Sequence, residues 1–199
     1  MSDAARQLMD VDEFLLWSLD QEDTYELIDG IPVLKHRDGP EGMAGTSLSH
    51  ARLSSNLQFA LRSRLRGGRC EVLSDAMSVR TSIRKARRPD VLVDCGRGRG
   101  SELEAPMPVV LFEILSPSSG KQDLIFKPEE YKRLPTMRQY VVVDSTAAVL
   151  KVWVRGEDGR WEDGLVEGLT AALDIPALSL QLPLEEIYEN VDLTPDGAF

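Results

Sequence analysis

One segment limits the possible folds of this 199-residue chain more than any other. Residues 108–115 read PVVLFEIL and contain a single charged side chain, Glu113. An apolar run of this length without alternation predicts a central strand that is covered on both faces. RQYVVVD at 138–144 has the same character and predicts a second buried strand. The chain must therefore build a sheet with a layer on each side.

Helical patterns surround these two strands. The clearest runs from about Ser47 to Arg66, where leucines recur at every fourth position and Gly67-Gly68 follows. Ser47 or Ser49 can cap its start. At 100° per residue, His50 falls on the leucine stripe near the N-terminal end, so it is predicted to face the body of the protein. Shorter helices are predicted at 10–18 and roughly 128–134, with a final helical turn near Leu184–Tyr188.

The remaining patterns are strands and loops. YELIDGIPVLKH at 25–36 predicts a hairpin, because two apolar runs flank the tight-turn pair Asp29-Gly30. CEVLSD, MSVRTS, RPDVLVDC and AVLKVWVR predict further strands, and 37–46 and 116–120 predict loops. The order of elements indicates an α/β or α+β domain with a central mixed sheet flanked by helices. We expect residues 1–199 to form one domain.

Composition narrows the class of protein. No apolar stretch approaches the length needed to span a bilayer, and the acidic N-terminus lacks the pattern of a signal peptide. The sequence therefore predicts a cytoplasmic protein. Cys70 and Cys95 lie far apart without CxxC spacing, which argues against a zinc cluster. In a reducing compartment both are expected to be buried, unpaired thiols.

The charge is unevenly distributed. The whole chain carries −10, yet residues 62–99 hold 11 Lys or Arg and only 4 Asp or Glu. Arg84, Lys85, Arg87 and Arg88 form the densest part of this stretch, directly before Asp90. One interpretation is a solvated surface run. The other is a local patch that attracts the phosphates of DNA, which an acidic chain does not attract as a whole.

Two acids lie within otherwise apolar strands. Asp90 opens the strand VLV directly after Pro89, and Glu113 lies inside VVLFEIL. A buried carboxylate is costly unless it has a partner or a metal ion. If the two strands are neighbours, the carboxylates can share Mg²⁺ or Mn²⁺, which prefer oxygen ligands. The alternative is a salt bridge, for instance between Glu113 and an arginine.

Several motifs resemble one known family. Pro89-Asp90 followed by Glu113-Ile114-Leu115 is similar to the PD-(D/E)XK signature of a nuclease superfamily. More specifically, the chain resembles the Uma-two family of restriction endonucleases. The matching pieces lie between about residues 10 and 155 and keep the family's order; they are YELIDG, SLSHARLSSNL, RRPDVLV, FEILSPSS, Asp123, Lys127, Tyr131 and QYVVVDS.

This resemblance implies a restriction-endonuclease-like fold and a metal-dependent phosphodiesterase that acts on DNA. Asp90 and Glu113 would bind Mg²⁺ or Mn²⁺, which would lower the pKa of a bound water and stabilise charge on the attacked phosphate. Leu115 occupies the position of the signature lysine, and Lys127 is the expected substitute. Lys121 is a second candidate.

The local sequence complicates the role of Lys127. Pro128 follows it, and a residue before proline is pushed away from helical geometry. Because proline is favoured at the first helical position, the helix is expected to begin near Pro128 with Lys127 as its cap. Asp123 and Lys127 would then not lie one helical turn apart.

Four side chains are expected to support the site. Glu26 is either a plain hairpin residue or a further acid near the metal. His50 is either a satisfied core histidine or a group that contacts phosphate or water. Tyr131 is expected to pack or to hydrogen-bond behind the metal ligands, and Asp123 matches the family pattern.

Three functions remain open from the sequence. The first is a metal-dependent DNA endonuclease, which we expect to be a homodimer, because nucleases that cut duplex DNA often pair two sites. The second is a binding or assembly module that kept the nuclease fold without the chemistry. It is motivated by the acidic net charge and the displaced lysine, and it predicts an arginine paired with Asp90 or Glu113. The third is a hydrolase of a smaller phosphodiester. Fold alone does not separate them.

Overall fold

The computed structural model describes residues 8–35, 47–115 and 123–193. The elements in chain order are α1 (Val11–Ser18), β1 (Tyr25–Ile28), β2 (Ile31–Leu34), α2 (Leu48–Leu65), β3 (Glu71–Ser74), β4 (Val79–Ser82), β5 (Lys85–Arg87), β6 (Val91–Asp94), β7 (Pro108–Leu115), α3 (Asp123–Tyr131), β8 (Gln139–Asp144), β9 (Val149–Arg155), β10 (Trp161–Glu167), β11 (Ala172–Ile175), β12 (Leu180–Pro183) and α4 (Leu184–Ile187). The predicted loops at 37–46 and 116–120, and Lys121, lie outside these ranges. No helix within them is long and apolar enough to cross a membrane.

The larger sheet has six strands in the order β10-β9-β8-β7-β6-β3. β7 and β8 run parallel, and every other neighbouring pair is antiparallel. The two central strands are buried along their length apart from Leu115, which is half-buried. The predicted central mixed sheet flanked by helices is therefore confirmed, with PVVLFEIL at its centre.

Two layers cover this sheet. The leucine stripe of α2 packs on one face, where Leu53, Leu57 and Leu61 join the same core cluster as Phe112. Each fully buried leucine contributes about 2 kcal/mol through removal of apolar area from water. Tyr131, which ends α3, packs on the opposite face. α3 lies in the connection between β7 and β8, as a crossover between parallel strands requires.

A smaller sheet of four strands, in the order β2-β1-β5-β4, lies beside α1. Its core consists of Val11, Phe14 and Leu15 of α1 together with Leu27 and Ala86. The predicted hairpin is confirmed: β1 pairs with β2 and the turn places Asp29 at φ 50° and Gly30 at φ 85°. Positive φ at both positions matches the right-handed twist of a tight hairpin.

The basic run before Asp90 forms a strand that the sequence did not reveal. β5 pairs with both β1 and β4, so it lies inside the smaller sheet. It is only three residues long, and Ala86 is its single apolar member. Such a segment has no readable periodicity. The chain then passes from the smaller sheet to the larger one between Arg87 and Val91.

The prediction that the two cysteines are unpaired thiols is wrong. Cys70 and Cys95 form a disulfide, with their Cα atoms 4.0 Å apart. The cause is the register of β3 and β6, in which Glu71 pairs with Asp94. Antiparallel pairing continued by one residue places Cys70 opposite Cys95. Spacing along the chain carries no trace of this arrangement.

Removal of this disulfide is expected to destabilise the fold. Replacing both cysteines with alanine should lower the free energy of unfolding by about 2–4 kcal/mol, because the unfolded chain loses a closed loop. Urea denaturation with and without a reducing agent measures the effect. The wild-type midpoint should fall on reduction, whereas the double variant should not respond. Equal midpoints for oxidised and reduced wild type would contradict this expectation.

Candidate active site

The register of β6 and β7 brings the two predicted metal ligands together. Val91 pairs with Phe112 in an antiparallel ladder. Continuing that ladder by one residue places Asp90 opposite Glu113, with both side chains on the same face. Directly opposite Cβ atoms lie about 5 Å apart. Each of the two residues is only 4% exposed, so both carboxylates lie inside the protein.

Asp90 is surrounded by donors. Lys35 Nζ lies 2.8 Å from its Oδ1, and His50 Nε2 lies 3.5 Å from the same oxygen. The backbone N–H of Ile114 donates to Oδ2 at 2.7 Å. Burial alone would raise the pKa of Asp90, but Lys35 and His50 outweigh it and hold that pKa well below its usual range. Asp90 is therefore an anion at neutral pH.

Glu113 behaves in the opposite way. Tyr131 donates its hydroxyl to Oε1 at 3.0 Å, and Lys127 Nζ lies 3.2 Å from the same oxygen. Burial raises the pKa of Glu113 to about 7, since the attraction of Lys127 is offset by repulsion from Asp90 and Glu26. Neighbouring carboxylates with separated pKa values are common where acid–base chemistry occurs.

Glu26 holds Lys127 from the other side. Lys127 Nζ lies 3.8 Å from Glu26 Oε1, which also accepts from the backbone N–H of Arg88 at 3.0 Å. Burial would raise the pKa of Glu26, but Lys127 and Arg87 lower it overall. Lys127, which the sequence predicted as the catalytic lysine, therefore lies between Glu26 of the smaller sheet and Glu113 of the larger sheet.

Arg87 links Glu26 to a further acid, Glu130. Its Nη1 donates to Glu26 at 3.0 Å, while Nε and Nη2 donate to the two oxygens of Glu130 at 2.8 and 2.9 Å. Lys85 also contacts Glu130, at 3.1 Å. This buried network ties the smaller sheet to α3, which carries Lys127 and Tyr131.

The predicted start of α3 is wrong. The helix is continuous over Asp123–Tyr131 with Pro128 inside it, so Lys127 is not a cap. Proline removes one backbone hydrogen bond, but the ladder resumes beyond it, where Lys132 N donates to Pro128 O at 2.9 Å. Lys127 and Tyr131 are thus one turn apart on one face, and both reach Glu113. Asp123 is one turn before Lys127, and its side chain lies outside the described atoms.

The basic run contributes differently along its length. Arg84 is exposed in the turn before β5. The Lys85 side chain is 28% exposed and also lies near Asp29. Arg87 is 4% exposed and committed to Glu26 and Glu130. Arg88 is half-buried and donates to Ser18 Oγ at 3.1 Å, and burial lowers its pKa. Of these four residues, Arg84 is exposed, Lys85 and Arg88 are half-buried, and Arg87 is buried.

Two residues of this cluster were missed in the sequence. Lys35 follows the last residue of β2 and was assigned no role from the sequence, yet its Nζ lies 2.8 Å from Asp90 Oδ1. Glu130 was interpreted as an ordinary acidic residue in the first turn of a helix, so nothing in the sequence indicated its ion pair with Arg87. Lys35 reaches Asp90 from the end of β2, and Glu130 of α3 is joined to Glu26 of β1 through Arg87.

Asp90 and Glu113 are oxygen donors, the type of ligand that hard divalent cations prefer. Among the residues in the described ranges, no group of three or more His, Cys, Asp or Glu side chains could hold a metal ion. A closed zinc site is thus not built there. Asp90 and Glu113 offer two adjacent carboxylates whose repulsion helps to raise the pKa of Glu113. Mg²⁺ and Mn²⁺ suit such pairs, because one or two carboxylates suffice when water and phosphate complete the shell.

Glu113 should make stability depend on pH in metal-free buffer. Its folded pKa of about 7 lies above the ordinary 4.5, so the folded state binds the proton more tightly. The associated stability is fully present below pH 4.5 and is lost as pH rises to 7, by about 3 kcal/mol. The difference in free energy of unfolding between wild type and Glu113→Gln should fall across this window. A difference that is constant from pH 4.5 to 8 would contradict the expected titration.

Comparison with known proteins identifies the family of this chain. The family model of Uma2, described as "Putative restriction endonuclease", matches residues 11–185. An uncharacterized protein of Synechocystis sp. is 27% identical over 184 residues, which cover 90% of this chain and 91% of that protein. The chain belongs to the Uma2 family, within the restriction-endonuclease-like superfamily.

Proposed function

We propose that this protein is a divalent-metal-dependent endonuclease that hydrolyses phosphodiester bonds in DNA. The observation that carries the proposal is the register of β6 and β7, which sets Asp90 beside Glu113 with Lys127 on the second carboxylate. Membership of a nuclease family supports nucleic acid as the substrate class.

Asp90 and Glu113 would hold Mg²⁺ or Mn²⁺. When bound there, the cation would lower the pKa of a water ligand and stabilise negative charge on the attacked phosphate. Asp90 is already an anion, whereas Glu113 has to lose its proton to become a ligand. Metal affinity should therefore rise with pH as Glu113 ionises.

Lys127 replaces the signature lysine whose position is taken by Leu115. The distance of 3.2 Å between its ammonium and Glu113 supports a role in which Lys127 would donate to a phosphate oxygen or orient the attacking water. Glu26 holds the ammonium of Lys127 in position, and the hydroxyl of Tyr131 holds the carboxyl group of Glu113. Lys35 provides a second ammonium, beside Asp90. The imidazole of His50 also lies next to Asp90.

DNA would approach across the exposed part of the basic stretch. Arg84 and Lys85 are the members we assign to phosphate contacts, with Arg88 nearby. In a chain of net charge −10, such local positive charge is needed to attract a phosphate backbone. We also propose that residues 1–199 form one domain and that two copies pair to cut both strands.

Calorimetric titration with Mg²⁺ or Mn²⁺ tests this proposal. We expect wild type to bind one cation and Asp90→Ala to lose that binding by at least about tenfold. The titration is repeated for both proteins with duplex DNA present, because the cation site can require phosphate oxygens of the substrate as ligands. Absence of cation binding by wild type, with and without DNA, would contradict the proposed enzyme.

A second candidate is a nuclease-fold binding module without catalysis. It is favoured by one observation, that the ammonium groups of Lys35 and Lys127 already lie beside the carboxyl groups of Asp90 and Glu113, where a cation would bind. This function predicted an arginine beside Asp90 or Glu113; among the residues that the structure describes, the cations beside these acids include Lys35 and Lys127. A hydrolase of smaller phosphodiesters would use the same groups. Cleavage assays on duplex DNA, single-stranded DNA and cyclic dinucleotides separate the three functions.

A further inference from the structure

A cavity of about 860 Å³ lies at the other end of the larger sheet. Its walls include Val109 at the start of β7, Gln139 at the start of β8 and Arg155 at the end of β9. Val109 precedes Glu113 by four residues along one strand, which is roughly 13 Å. This cavity, called the distal cleft below, is therefore separate from the acid cluster.

Three arginines line the distal cleft. Arg69 Nε donates to the carbonyl of Cys95 at 3.1 Å, and Arg138 and Arg155 each donate to the carbonyl of Pro135, at 2.9 and 3.3 Å. In the described part of the chain, none of the three pairs with a carboxylate. Their guanidinium groups are thus oriented by neutral oxygens, and their positive charge is not neutralised by an ion pair within the described ranges. Among the lining residues that the structure describes, the only acid is Glu157.

The floor of the distal cleft contains an unsatisfied acceptor. Gln139 is 0% exposed, and its Nε2 donates to the carbonyl of Asp174 at 2.9 Å. Its Oε1 is buried and has no hydrogen-bond partner among the described residues. Buried acceptors are almost always paired in folded proteins. A ligand that carries an N–H or O–H group would satisfy this oxygen.

The remaining wall is apolar. Val109, Val154 and Pro176 contribute to it, together with the disulfide of Cys70 and Cys95. A cavity of this volume lies in the range of small-molecule sites, which combine apolar walls with a few directed polar groups. The surfaces therefore suit a ligand with an anionic end, a flat apolar part and a hydrogen-bond donor.

We propose that the distal cleft binds a nucleoside phosphate. The phosphate contacts the arginines, which recognise phosphate oxygens through paired N–H groups. The base packs on the apolar wall and donates to Gln139 Oε1, which a small displacement of the side chains around it has to uncover, because this oxygen is buried. This site does not depend on the endonuclease activity proposed above, since it shares no residue with the acid cluster.

Calorimetry with the four nucleoside monophosphates and with inorganic phosphate tests the distal cleft. Wild type is expected to bind at least one nucleotide more tightly than phosphate. Arg138→Gln and Arg155→Gln should each weaken nucleotide binding about tenfold. Arg160→Gln is the matched control, because its side chain is 87% exposed on the neighbouring turn and does not line the cleft. Asp90→Asn should bind the nucleotide as wild type does.

The variant Gln139→Leu distinguishes the contribution of the base to binding from that of the phosphate. It should weaken nucleotide binding and leave phosphate binding unchanged, provided thermal denaturation shows a folded protein. Three results would overturn the proposal: no nucleotide binding at millimolar concentration, equal affinity for nucleotide and phosphate, or unchanged affinity in both arginine variants. Loss of binding in Asp90→Asn alone would assign the nucleotide to the acid cluster instead.

Discussion

Replacement of Asp90 by asparagine is expected to reduce DNA cleavage by about 10³-fold, which corresponds to ~4 kcal/mol of the activation barrier. Asparagine keeps the shape of the side chain, so it can still accept from the N–H of Ile114. It removes the negative charge that pairs with Lys35 and that would bind the cation. Initial rates with supercoiled plasmid and Mg²⁺ measure the change.

The matched control is Asp192→Asn, whose side chain is 92% exposed and lies 3.6 Å from Arg52. It should cut DNA at the wild-type rate. Thermal denaturation of both variants separates loss of chemistry from loss of folding. If Asp90→Asn remained within a few-fold of wild type while folded, the carboxylate would not take part in the reaction, and the cleavage would have another origin.

Replacement of Arg87 by methionine is expected to lower the free energy of unfolding by about 3 kcal/mol. Arg87 lies between Glu26 and Glu130, which are 6% and 8% exposed. Loss of one partner leaves buried charge uncompensated, which costs about 3–5 kcal/mol in such networks. Lys85 and Lys127 remain near the two glutamates and reduce the cost toward the lower value. Urea denaturation at pH 7 measures it.

Arg160→Met serves as the control for this variant. Its guanidinium pairs with Asp158 at 3.6 Å on the surface, where ion pairs contribute little. The change should stay below about 0.5 kcal/mol. A triple variant that combines Arg87→Met with Glu26→Gln and Glu130→Gln should recover part of the lost stability. A loss below about 1 kcal/mol in Arg87→Met would contradict the buried network.

The fold was accessible from sequence wherever one pattern dominated a segment. The apolar run at 108–115, the leucine stripe of α2 and the Asp29-Gly30 turn each specify an element locally. β5 was not accessible, because three residues with one alanine have no period. α3 was misjudged because Pro128 normally starts a helix, whereas here tertiary contacts of Lys127 and Tyr131 carry the helix across it.

The candidate site was accessible only in part. Asp90 and Glu113 stand out because each interrupts an apolar strand. Lys35 has no such contrast, since it follows β2 at the end of a hairpin and is brought to Asp90 by contacts across 55 residues. The disulfide has the same origin, as it depends on the register of β3 with β6. Long-range pairing leaves no local pattern to read.

The passage from β5 to β6 sets a strict limit on chain length. Arg87 belongs to the smaller sheet and Val91 to the larger, so only residues 88–90 join them. An insertion of one residue here would turn the side chain of Asp90 to the opposite face of the larger sheet. Otherwise it would move Arg87 away from Glu26 and Glu130. The hairpin turn at Asp29-Gly30 carries no such constraint on Asp90. Length variation among relatives should therefore be absent at residues 88–90, whatever their sequence divergence elsewhere.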